Sequence, residues 1–391
     1  MTSRSIYTSF QHTLAKYPIL VLTGPRQSGK TTMLRKMLTD YRYVSLENPD
    51  IRDFAESDPR GFLQEYDDKM IFDEVQLVPQ LFSYLQGIVD ENQVMGQFIL
   101  SGSQNFNLMH NITQSLAGRV AIFRLFPFDM EEMHSADWLS DNLNDAMVRG
   151  FYPALHHRDV DPDRYYADYI DTYINRDVTQ LINLHDNNAF RRFIKICATR
   201  AGQLVNYNNI AKDAGISHTT ARNWLSLLET SYIIHFLQPY YKNYSKRVIK
   251  SPKLYFYDTG LLCHLLNIRN GDLDPTYSQY GNLFENMVVS EYVKQNSHND
   301  LKREHWFWRD SHGNEIDLLY PTSEALHTYE IKSSATIRSN MFSALKKFES
   351  VSTDTIESKT VIYGGSSEQK RTDFLVQSWR NIRLKNNYKS N

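Results

Sequence analysis

The segment YPILVLTGPRQSGKTTMLRK, residues 17–36, constrains the fold of this 391-residue chain more than any other part. It reads as a short apolar strand, a loop of the form G-x-x-x-x-G-K-T from Gly24 to Thr31, and a helix. The loop glycines let the backbone N–H groups point inward, and the helix adds the positive end of its dipole. Such a loop binds ATP, with Lys30 on the β- and γ-phosphates and the Thr31 hydroxyl on Mg²⁺. The expected nucleotide-binding residues are Gly24, Pro25, Arg26, Gln27, Ser28, Gly29, Lys30, Thr31 and Thr32.

Length and composition set outer limits on the protein. The length predicts two or three domains, and a net charge of -2 means that nucleic acid would have to bind a local basic patch. Cys197 and Cys263 are isolated, so neither a disulfide framework nor a zinc site is expected. No run reaches about eighteen apolar residues and the first residues lack a signal-peptide pattern, so we expect a cytoplasmic protein without a membrane partner.

An acidic element follows the loop, in the segment MIFDEV at residues 70–75. Asp73 at the end of this apolar strand would bind Mg²⁺, and Glu74 would polarise the attacking water. An adjacent Asp-Glu pair is the pattern of ATPases in which another strand separates this strand from the phosphate-loop strand. The segment QFILSGSQNF is expected to be that strand, and Ser103 at its end is a candidate sensor of the γ-phosphate. A plain Ser-Gly turn is the alternative reading.

A fifth strand is expected from Val120 to Leu125, with Arg119 just before it. Arg119 could act as a finger on the γ-phosphate of a neighbouring subunit, which implies a homo-oligomer. It could equally form a surface salt bridge, and Arg124 is a second candidate for the finger.

Several segments spread over most of the chain carry a family resemblance: GPRQSGKTT, LENPDIRDFAESDPRGFL, IFDEVQLVP, LSGSQNFNLM, GRVAIFRLFPFDMEE, YINRDVTQL, YDTGLL, GNLFENMVVSEY and EIKSS. In these segments the chain resembles the widespread bacterial and archaeal AAA-type ATPases that carry a carboxy-terminal domain of unknown function. One departure is GFYPAL, residues 150–155, where that family more often has two glycines before the aromatic residue. The departure touches no expected catalytic residue.

The middle of the chain predicts helices followed by a basic hairpin. Residues 137–186 read as amphipathic helix, expected to form a lid, and two later helices joined by a Gly-Ile-Ser turn precede two apolar strands. This order predicts a winged helix-turn-helix whose wing tip is the basic segment KNYSKRVIKSPK. The expected nucleic-acid contacts are Arg222, Lys242, Lys246, Arg247, Lys250 and Lys253. The alternative is a structural or protein-binding module with a solvated charged loop.

The carboxy-terminal part places four charged residues in a constellation. Glu285 lies on a predicted helix, Asp317 on a strand, and Glu330 and Lys332 on one face of the next strand. The carboxylates of Glu285, Asp317 and Glu330 could hold Mg²⁺ or Mn²⁺, and Lys332 could orient a water. The set resembles the D…E-x-K signature of the restriction-endonuclease-like nuclease fold, with the helical glutamate of its junction-resolving members. An exposed Glu-Lys pair is the structural alternative, and members of this fold often lose activity.

We therefore predict an α/β protein of three domains: a P-loop AAA-type ATPase domain over residues 1–135, a helical lid with a winged helix-turn-helix over 136–260, and a restriction-endonuclease-like domain over 261–391. The leading hypothesis is an ATPase that acts on nucleic acid, most simply DNA, with a metal-dependent nuclease domain. A second hypothesis is a nucleotide-driven switch or scaffold whose inactive carboxy-terminal domain binds a protein. A P-loop kinase is a third, although no acceptor site is visible and Glu74 suits water activation.

Overall fold

The structure, a computed structural model, describes residues 3–103, 115–178, 187–240, 251–269, 271–322 and 325–384, with the backbone alone for residues 175–178. The chain divides into two units. The first unit comprises Met1–Phe128, Thr230–Tyr232 and Ser297–Asp300. The second comprises Asp129–Glu229, Ile233–Asn296 and Leu301–Asn391.

The first unit is built on a five-stranded sheet in the order β2-β3-β4-β1-β5, and every neighbouring pair is parallel. Its strands are β1 (Ile19–Thr23), β2 (Arg42–Ser45), β3 (Met70–Asp73), β4 (Phe98–Gly102) and β5 (Val120–Arg124). The strand that ends in Asp73 is therefore separated from the phosphate-loop strand by β4, as the sequence predicted. Because all five strands run in one direction, the residues that follow β1, β3 and β4 meet at the same edge.

Helices cover both faces of this sheet: α1 (Tyr7–Leu14), α2 (Lys30–Met37), α3 (Pro49–Ser57), α4 (Pro59–Glu65) and α5 (Leu81–Asn92). Alternate residues of β1 belong to different cores, since Ile19 and Val21 pack with α4 and α5 while Leu20 and Leu22 pack with α1 and α2. The side chain of Asn48 caps α3 by accepting from Asp50 N, with Pro49 at the first helical position. A central strand buried on both faces gives the phosphate loop a rigid base.

The second unit begins with helices. From residue 130 onward the α-helices are α6 (Met130–Ser135), α7 (Leu143–Arg149), α8 (Pro153–His157), α9 (Pro162–Tyr169), α10 (Asn187–Thr199), α11 (Tyr207–Ala214), α12 (His218–Thr230), α13 (Thr259–Leu265), α14 (Tyr280–His298) and α15 (Ser343–Val351). A π-helical stretch, Ile170–Val178, follows α9. The helices predicted over residues 137–186 are confirmed in the described part of that range. Their role as a lid stays a prediction.

An eight-stranded mixed sheet in the order β12-β13-β11-β10-β9-β8-β6-β7 forms the rest of the second unit. Its strands are β6 (Ile234–Pro239), β7 (Lys253–Phe256), β8 (Trp306–Arg309), β9 (Glu315–Pro321), β10 (Leu326–Lys332), β11 (Ile356–Tyr363), β12 (Gln369–Lys370) and β13 (Leu375–Ser378). The antiparallel hairpin β6–β7 joins this sheet because β6 pairs in parallel with β8. The sheet thus includes strands from both sides of residue 260, and the three-domain division stays a prediction.

Two helices position the polar residues of this sheet. The α15 residues Leu345 and Phe348 pack with Ile316 and Val361 in one core. On α14, the Asn286 side chain donates to Phe256 O at 3.0 Å and accepts from Phe256 N at 2.7 Å. These two hydrogen bonds fix α14 against β7, so that Glu285, the preceding residue of the helix, lies beside the same strand.

The predicted basic wing is the point at which the structure departs most from the sequence analysis. Lys242, Lys246, Arg247 and Lys250 lie outside the described residues. Lys253 was expected on the exposed wing, but it begins β7 and is 2% exposed. That placement is wrong because Glu285 of α14 and Glu315 of β9 form ion pairs with the lysine inside the fold. Among the described helices, none is both long enough and apolar enough to cross a membrane.

Candidate functional sites

The phosphate loop connects β1 to α2 through backbone conformations that favour glycine. Gly24 has a φ of 147° and Gly29, at the amino-terminal cap of α2, has a φ of 94°. A Cβ atom at Gly24 would lie 2.1 Å from the carbonyl oxygen of Leu125, so no other residue fits without moving β5. The sequence pattern therefore has a steric origin as well as a conformational one.

Lys30 lies inside the curve of this loop. Its ammonium group donates to the carbonyl oxygens of Gly24 and Pro25, both at 2.9 Å, and the residue is 6% exposed. Burial lowers the pKa of Lys30 to about 8, against the raising effect of the Glu74 and Asp73 carboxylates. A buried cation whose hydrogen bonds go to carbonyl oxygens can exchange them for the oxygens of an anion.

Asp73, at the carboxyl end of β3, is held by three hydroxyl groups. Thr31 Oγ1 and Tyr43 OH each donate to Asp73 Oδ2 at 2.7 Å, and Ser101 Oγ donates to Oδ1. The Thr31 hydroxyl and the Asp73 carboxylate are hard oxygen ligands in direct contact, so this pair fits Mg²⁺. Burial, and then the bond to Asp73, raise the pKa of the Tyr43 phenol.

Glu74 and Ser103, predicted from separate segments, lie together. Glu74 Oε2 accepts from Ser103 Oγ at 3.2 Å, from Ser103 N at 3.3 Å and from Gln76 Nε2. Glu74 has a φ of 54°, which costs on the order of 1 kcal/mol for a residue with a side chain. Strained backbone of this kind occurs at functional sites, because the surrounding structure must enforce it.

The two candidate arginine fingers lie at opposite ends of the strand β5. Arg119 precedes β5 at the edge where β1 begins, and its guanidinium binds Asp90, with Nη2–Oδ2 at 2.8 Å. Arg124 ends β5 opposite Thr23, next to the phosphate loop. Within one chain, therefore, Arg124 is the arginine nearer the loop. Action of Arg119 on a neighbouring subunit stays a prediction.

Arg4 and Tyr43 are contacts at this site that the sequence analysis did not find. The Arg4 guanidinium donates from Nη1 to Ser28 O at 2.8 Å and from Nη2 to Phe126 O at 2.6 Å. It thus ties the phosphate loop to the segment that follows β5. Neither residue lies in the loop motif, and a lone arginine or tyrosine carries no periodic signal.

The second unit contains a cluster that we call the carboxylate centre, formed by Glu285, Glu315, Asp317 and Glu330 with Lys253 and Lys332. One carboxylate oxygen from each of Glu285, Glu315 and Asp317 lies within 4.8 Å of the others. Lys332 Nζ lies 3.8 Å from Asp317 Oδ2 and forms an ion pair with Glu330. The four residues predicted from the sequence are therefore close together, and their catalytic and metal-binding roles stay predictions.

Glu315, Lys253 and Tyr255 belong to this centre but were not predicted to do so. Lys253 Nζ lies 2.8 Å from Glu285 Oε1 and also pairs with Glu315, and Tyr255 OH donates to Glu285 Oε1 at 2.6 Å. Two alternating patterns could have revealed them. Glu315 and Asp317 lie two residues apart on β9, as do Lys253 and Tyr255 on β7, so each pair shares a face of its strand.

Burial of like charges governs the electrostatics of the carboxylate centre. Burial, followed by the neighbouring Glu330 and Glu285, raises the pKa of Asp317 well above its usual range. Burial also raises the pKa of Glu330, against the lowering effect of Lys332. Glu330 Oε2 is buried and has no hydrogen-bond partner among the residues that the structure describes. Two lysines, Lys253 and Lys332, pair with the four carboxylates, and binding of a metal ion at this centre stays a prediction.

Lys253 keeps its charge in this centre. Burial lowers the pKa of its ammonium group, but the charges of Glu285 and its neighbours outweigh burial and leave the pKa well above the usual value. The lysine is therefore a fixed cation at neutral pH.

The helices before the hairpin follow the predicted order. Gly215, with a φ of 70°, ends α11, and the Ser217 hydroxyl accepts from Thr220 N at 3.0 Å at the start of α12. Arg222 is exposed on α12. In addition, Leu204 forms a β-bridge with Lys253, which ties the segment between α10 and α11 to the hairpin.

Comparisons with known proteins locate the chain in a family. A family model described as an AAA domain matches residues 16–134, and models of two domains of unknown function, DUF8612 and DUF4143, match residues 140–272 and 280–382. Two uncharacterised proteins, Rv2008c of Mycobacterium tuberculosis and Mb2031c of Mycobacterium bovis, are each 30% identical to this chain over 379 residues. Each alignment covers 95% of this chain and 82% of the relative. The chain belongs to this family of AAA-domain proteins.

As an AAA-domain protein, the chain binds nucleotide, and the family implies ATP with Mg²⁺. Solved structures give weaker likenesses. A Walker-type ATPase of Pyrococcus abyssi is 14% identical with a TM-score of 0.42, covering 67% of this chain and 94% of that protein. A RuvB variant of Thermotoga maritima is 16% identical with a TM-score of 0.28, covering 59% and 85%. We draw no conclusion about function from likenesses at these TM-scores.

Proposed function

We propose that this AAA-domain protein hydrolyses ATP at the site formed by Lys30, Thr31, Asp73 and Glu74. The observation that carries the proposal is the contact between Thr31 and Asp73 at 2.7 Å, with Glu74 next in the chain and in contact with Ser103. A phosphate loop alone binds nucleotide, whereas an acidic strand end placed against it supplies a metal ligand and a base.

In the proposed reaction Lys30 exchanges the carbonyl oxygens of Gly24 and Pro25 for β- and γ-phosphate oxygens. Thr31 and Asp73 would hold Mg²⁺, which when bound reduces the negative charge of the phosphates. Glu74 orients a water and accepts its proton as the water oxygen bonds to the γ-phosphorus and the bond to ADP breaks. Arg119 of a neighbouring subunit would act as a finger in a homo-oligomer.

ATP turnover by the full chain tests this step. Lys30→Ala removes the cation and Glu74→Gln the base, so both should lower kcat by about 100-fold or more. Glu91→Gln, which changes an exposed glutamate of α5, is the matched control and should leave kcat unchanged. Turnover by Glu74→Gln equal to that of the unaltered protein would refute the assignment of the base.

We further propose that the ATPase acts on DNA through α10–α12 and the hairpin β6–β7, as a winged helix. The support is the order of these elements, the bridge from Leu204 to β7, and the exposed Arg222 on α12. The basic residues Lys242, Lys246, Arg247 and Lys250 fall in the connection between the strands, which suits contact with phosphates. ATP turnover that rises when DNA is added would support the proposal, and turnover indifferent to every nucleic acid tried would refute it.

The carboxylate centre supports a third part of the proposal, metal-dependent cleavage of a phosphodiester by a restriction-endonuclease-like domain. Glu285, Asp317 and Glu330 would hold Mg²⁺ or Mn²⁺, which when bound would offset the charge of the attacked phosphate. Lys332 would orient the attacking water. Glu330 Oε2, which lacks a hydrogen-bond partner within the described part of the chain, is the observation that favours a bound cation over a closed ion-pair network.

Cleavage is tested with branched, single-stranded and duplex DNA in the presence of ATP and either metal ion. Asp317→Asn should abolish any cleavage, while Asp373→Asn, which changes an exposed aspartate, should not. Cleavage that persists in Asp317→Asn would point to a contaminating nuclease.

A second candidate function is a nucleotide-driven switch or scaffold whose carboxy-terminal domain binds a protein and cuts nothing. The contact of the Lys253 ammonium group with Glu285 and Glu315 favours it, because an internal cation already neutralises part of the centre. This candidate predicts slow hydrolysis that DNA does not stimulate and an assembly state that changes with the bound nucleotide. Metal-dependent cleavage lost in Asp317→Asn would exclude it.

A further inference from the structure

Lys253 has the surroundings of a bound cation rather than of a surface lysine. Its ammonium group lies 2.8 Å from Glu285 Oε1 and pairs with Glu315, and its side chain is 3% exposed. The Phe307 ring lies 5.5 Å from the nitrogen. Lysines are seldom fully buried unless they are paired, and this one touches two of the three residues whose oxygens lie close enough for a metal ion.

The backbone holds Lys253 in this position from both sides. In β7 it pairs with Leu237 of β6, and on its other side it bridges to Leu204. Glu285 is fixed in turn by Tyr255 OH at 2.6 Å and by the hydrogen bonds of the adjacent Asn286 to Phe256. The ion pair is therefore built from rigid elements and is not a chance contact of two long side chains.

We propose that the Lys253 ammonium group is the resident cation of the carboxylate centre and must leave Glu285 and Glu315 before a divalent metal ion can bind there. This inference rests on the proposed metal site. Magnesium ligands lie about 2.1 Å from the ion, so Glu285 Oε1 cannot bind a metal ion and keep an ammonium group at 2.8 Å without placing two cations side by side. Lys332 contacts a different pair of carboxylates, Asp317 and Glu330.

The test measures Mn²⁺ binding to the full chain without nucleotide, by the loss of the free-ion signal in electron paramagnetic resonance. All variants carry Asp73→Asn, which removes a metal ligand of the ATP site. Lys253→Met should bind Mn²⁺ at least about tenfold more tightly than the parent protein, since the competing charge is gone. Lys253→Arg keeps the charge and should not bind more tightly.

Lys294→Met is the matched control, because Lys294 is also a buried lysine, 3.0 Å from Glu291, but belongs to another cluster. It should leave Mn²⁺ affinity unchanged, and adding Asp317→Asn to Lys253→Met should reverse the gain. Equal or weaker Mn²⁺ binding by Lys253→Met would overturn the inference. If that variant does not melt cooperatively, Lys253→Gln, which keeps a polar side chain but removes the charge, should still bind Mn²⁺ more tightly than the parent.

The Mn²⁺-binding test can be distinguished from the test of the proposed nuclease. If Lys253→Met binds Mn²⁺ more tightly and the unaltered protein does not cleave DNA, the result would support the resident cation and refute the cleavage activity. Cleavage by the unaltered protein, together with an affinity that Lys253→Met does not change, would support the nuclease and refute the resident cation.

Discussion

Asp73 shows how single hydroxyl groups define the metal side of the ATP site. Its two oxygens accept from Thr31, Tyr43 and Ser101, which come from α2, β2 and β4. Three donors from three elements leave the carboxylate little rotational freedom. The position of a metal ion would therefore depend on residues outside the loop motif.

Tyr43→Phe should raise the Mg²⁺ concentration needed for half-maximal ATP turnover by about fivefold. The physical reason is the loss of one hydrogen bond to a charged oxygen, worth about 1 kcal/mol. Magnesium titrations of ATP turnover measure the change. Tyr84→Phe, at an exposed tyrosine of α5, is the control, and an equal effect of both substitutions would contradict the positioning role.

The lowered pKa of Lys30 predicts that ATP binding depends on pH. In the nucleotide-free protein its pKa is lowered to about 8 by burial, and only the protonated amine attracts phosphate. Above that pH, ATP binding must therefore be accompanied by protonation of the Lys30 amine. Affinity should be level below pH 8 and fall by about tenfold for each pH unit above it.

Fluorescent-nucleotide titrations between pH 6.5 and 10 would measure this fall. In Lys30→Arg the guanidinium stays charged throughout, so any remaining binding should show no such fall. An equally steep fall in Lys30→Arg would assign the titration to another group.

At the scale of elements, parallel strands decide which residues meet. Thr23, Asp73 and Gly102 are the last residues of β1, β3 and β4, and neighbouring strands pair in register. The sheet thereby brings Ser103 to Glu74 across a long stretch of sequence. In the second unit the antiparallel pair β9 and β10 brings Asp317 close to Glu330, with the Ile331 N–H donating to Asp317 Oδ2 at 2.7 Å.

Gly24→Ala should abolish ATP binding while leaving most of the fold intact. The new methyl group would lie 2.1 Å from Leu125 O at a φ of 147°, so the loop must change shape. Isothermal titration calorimetry with ATP measures the loss. Gly87→Ala is the matched control, because a Cβ atom there meets nothing within 4 Å and alanine should stabilise α5 by about 0.5–1 kcal/mol. Retained ATP affinity in Gly24→Ala would show that the loop can relax.

At the scale of the whole molecule, the second unit combines strands from distant parts of the chain into one sheet. The hairpin β6–β7 adds to β8, and through Lys253 it contributes a cation to a centre formed by α14, β9 and β10. The hairpin that the sequence assigns to a winged helix-turn-helix therefore shares a sheet with strands from the carboxy-terminal part of the chain.

The net charge of -2 predicts how this molecule would bind DNA. Affinity must come from local cations, so it should fall steeply with salt. Arg222→Ala should reduce the slope of log Kd against log salt by about 1, whereas Arg60→Ala, at an exposed arginine of α4, should not. Fluorescence anisotropy with duplex DNA measures both slopes. Equal slopes in all three proteins would place the contacts elsewhere.

The sequence by itself determined the phosphate loop, the acidic pair, the order of the strands around them and the Glu285, Asp317, Glu330 and Lys332 set. These features are local: glycine conformations, apolar runs and alternating residues need only a few neighbours in the chain to be recognised. The tertiary structure alone decided that Arg4 holds the phosphate loop and that Lys253 lies among carboxylates instead of on a wing. Both contacts join residues far apart in the chain. The partner of a charged side chain is decided only when folding removes that side chain from water.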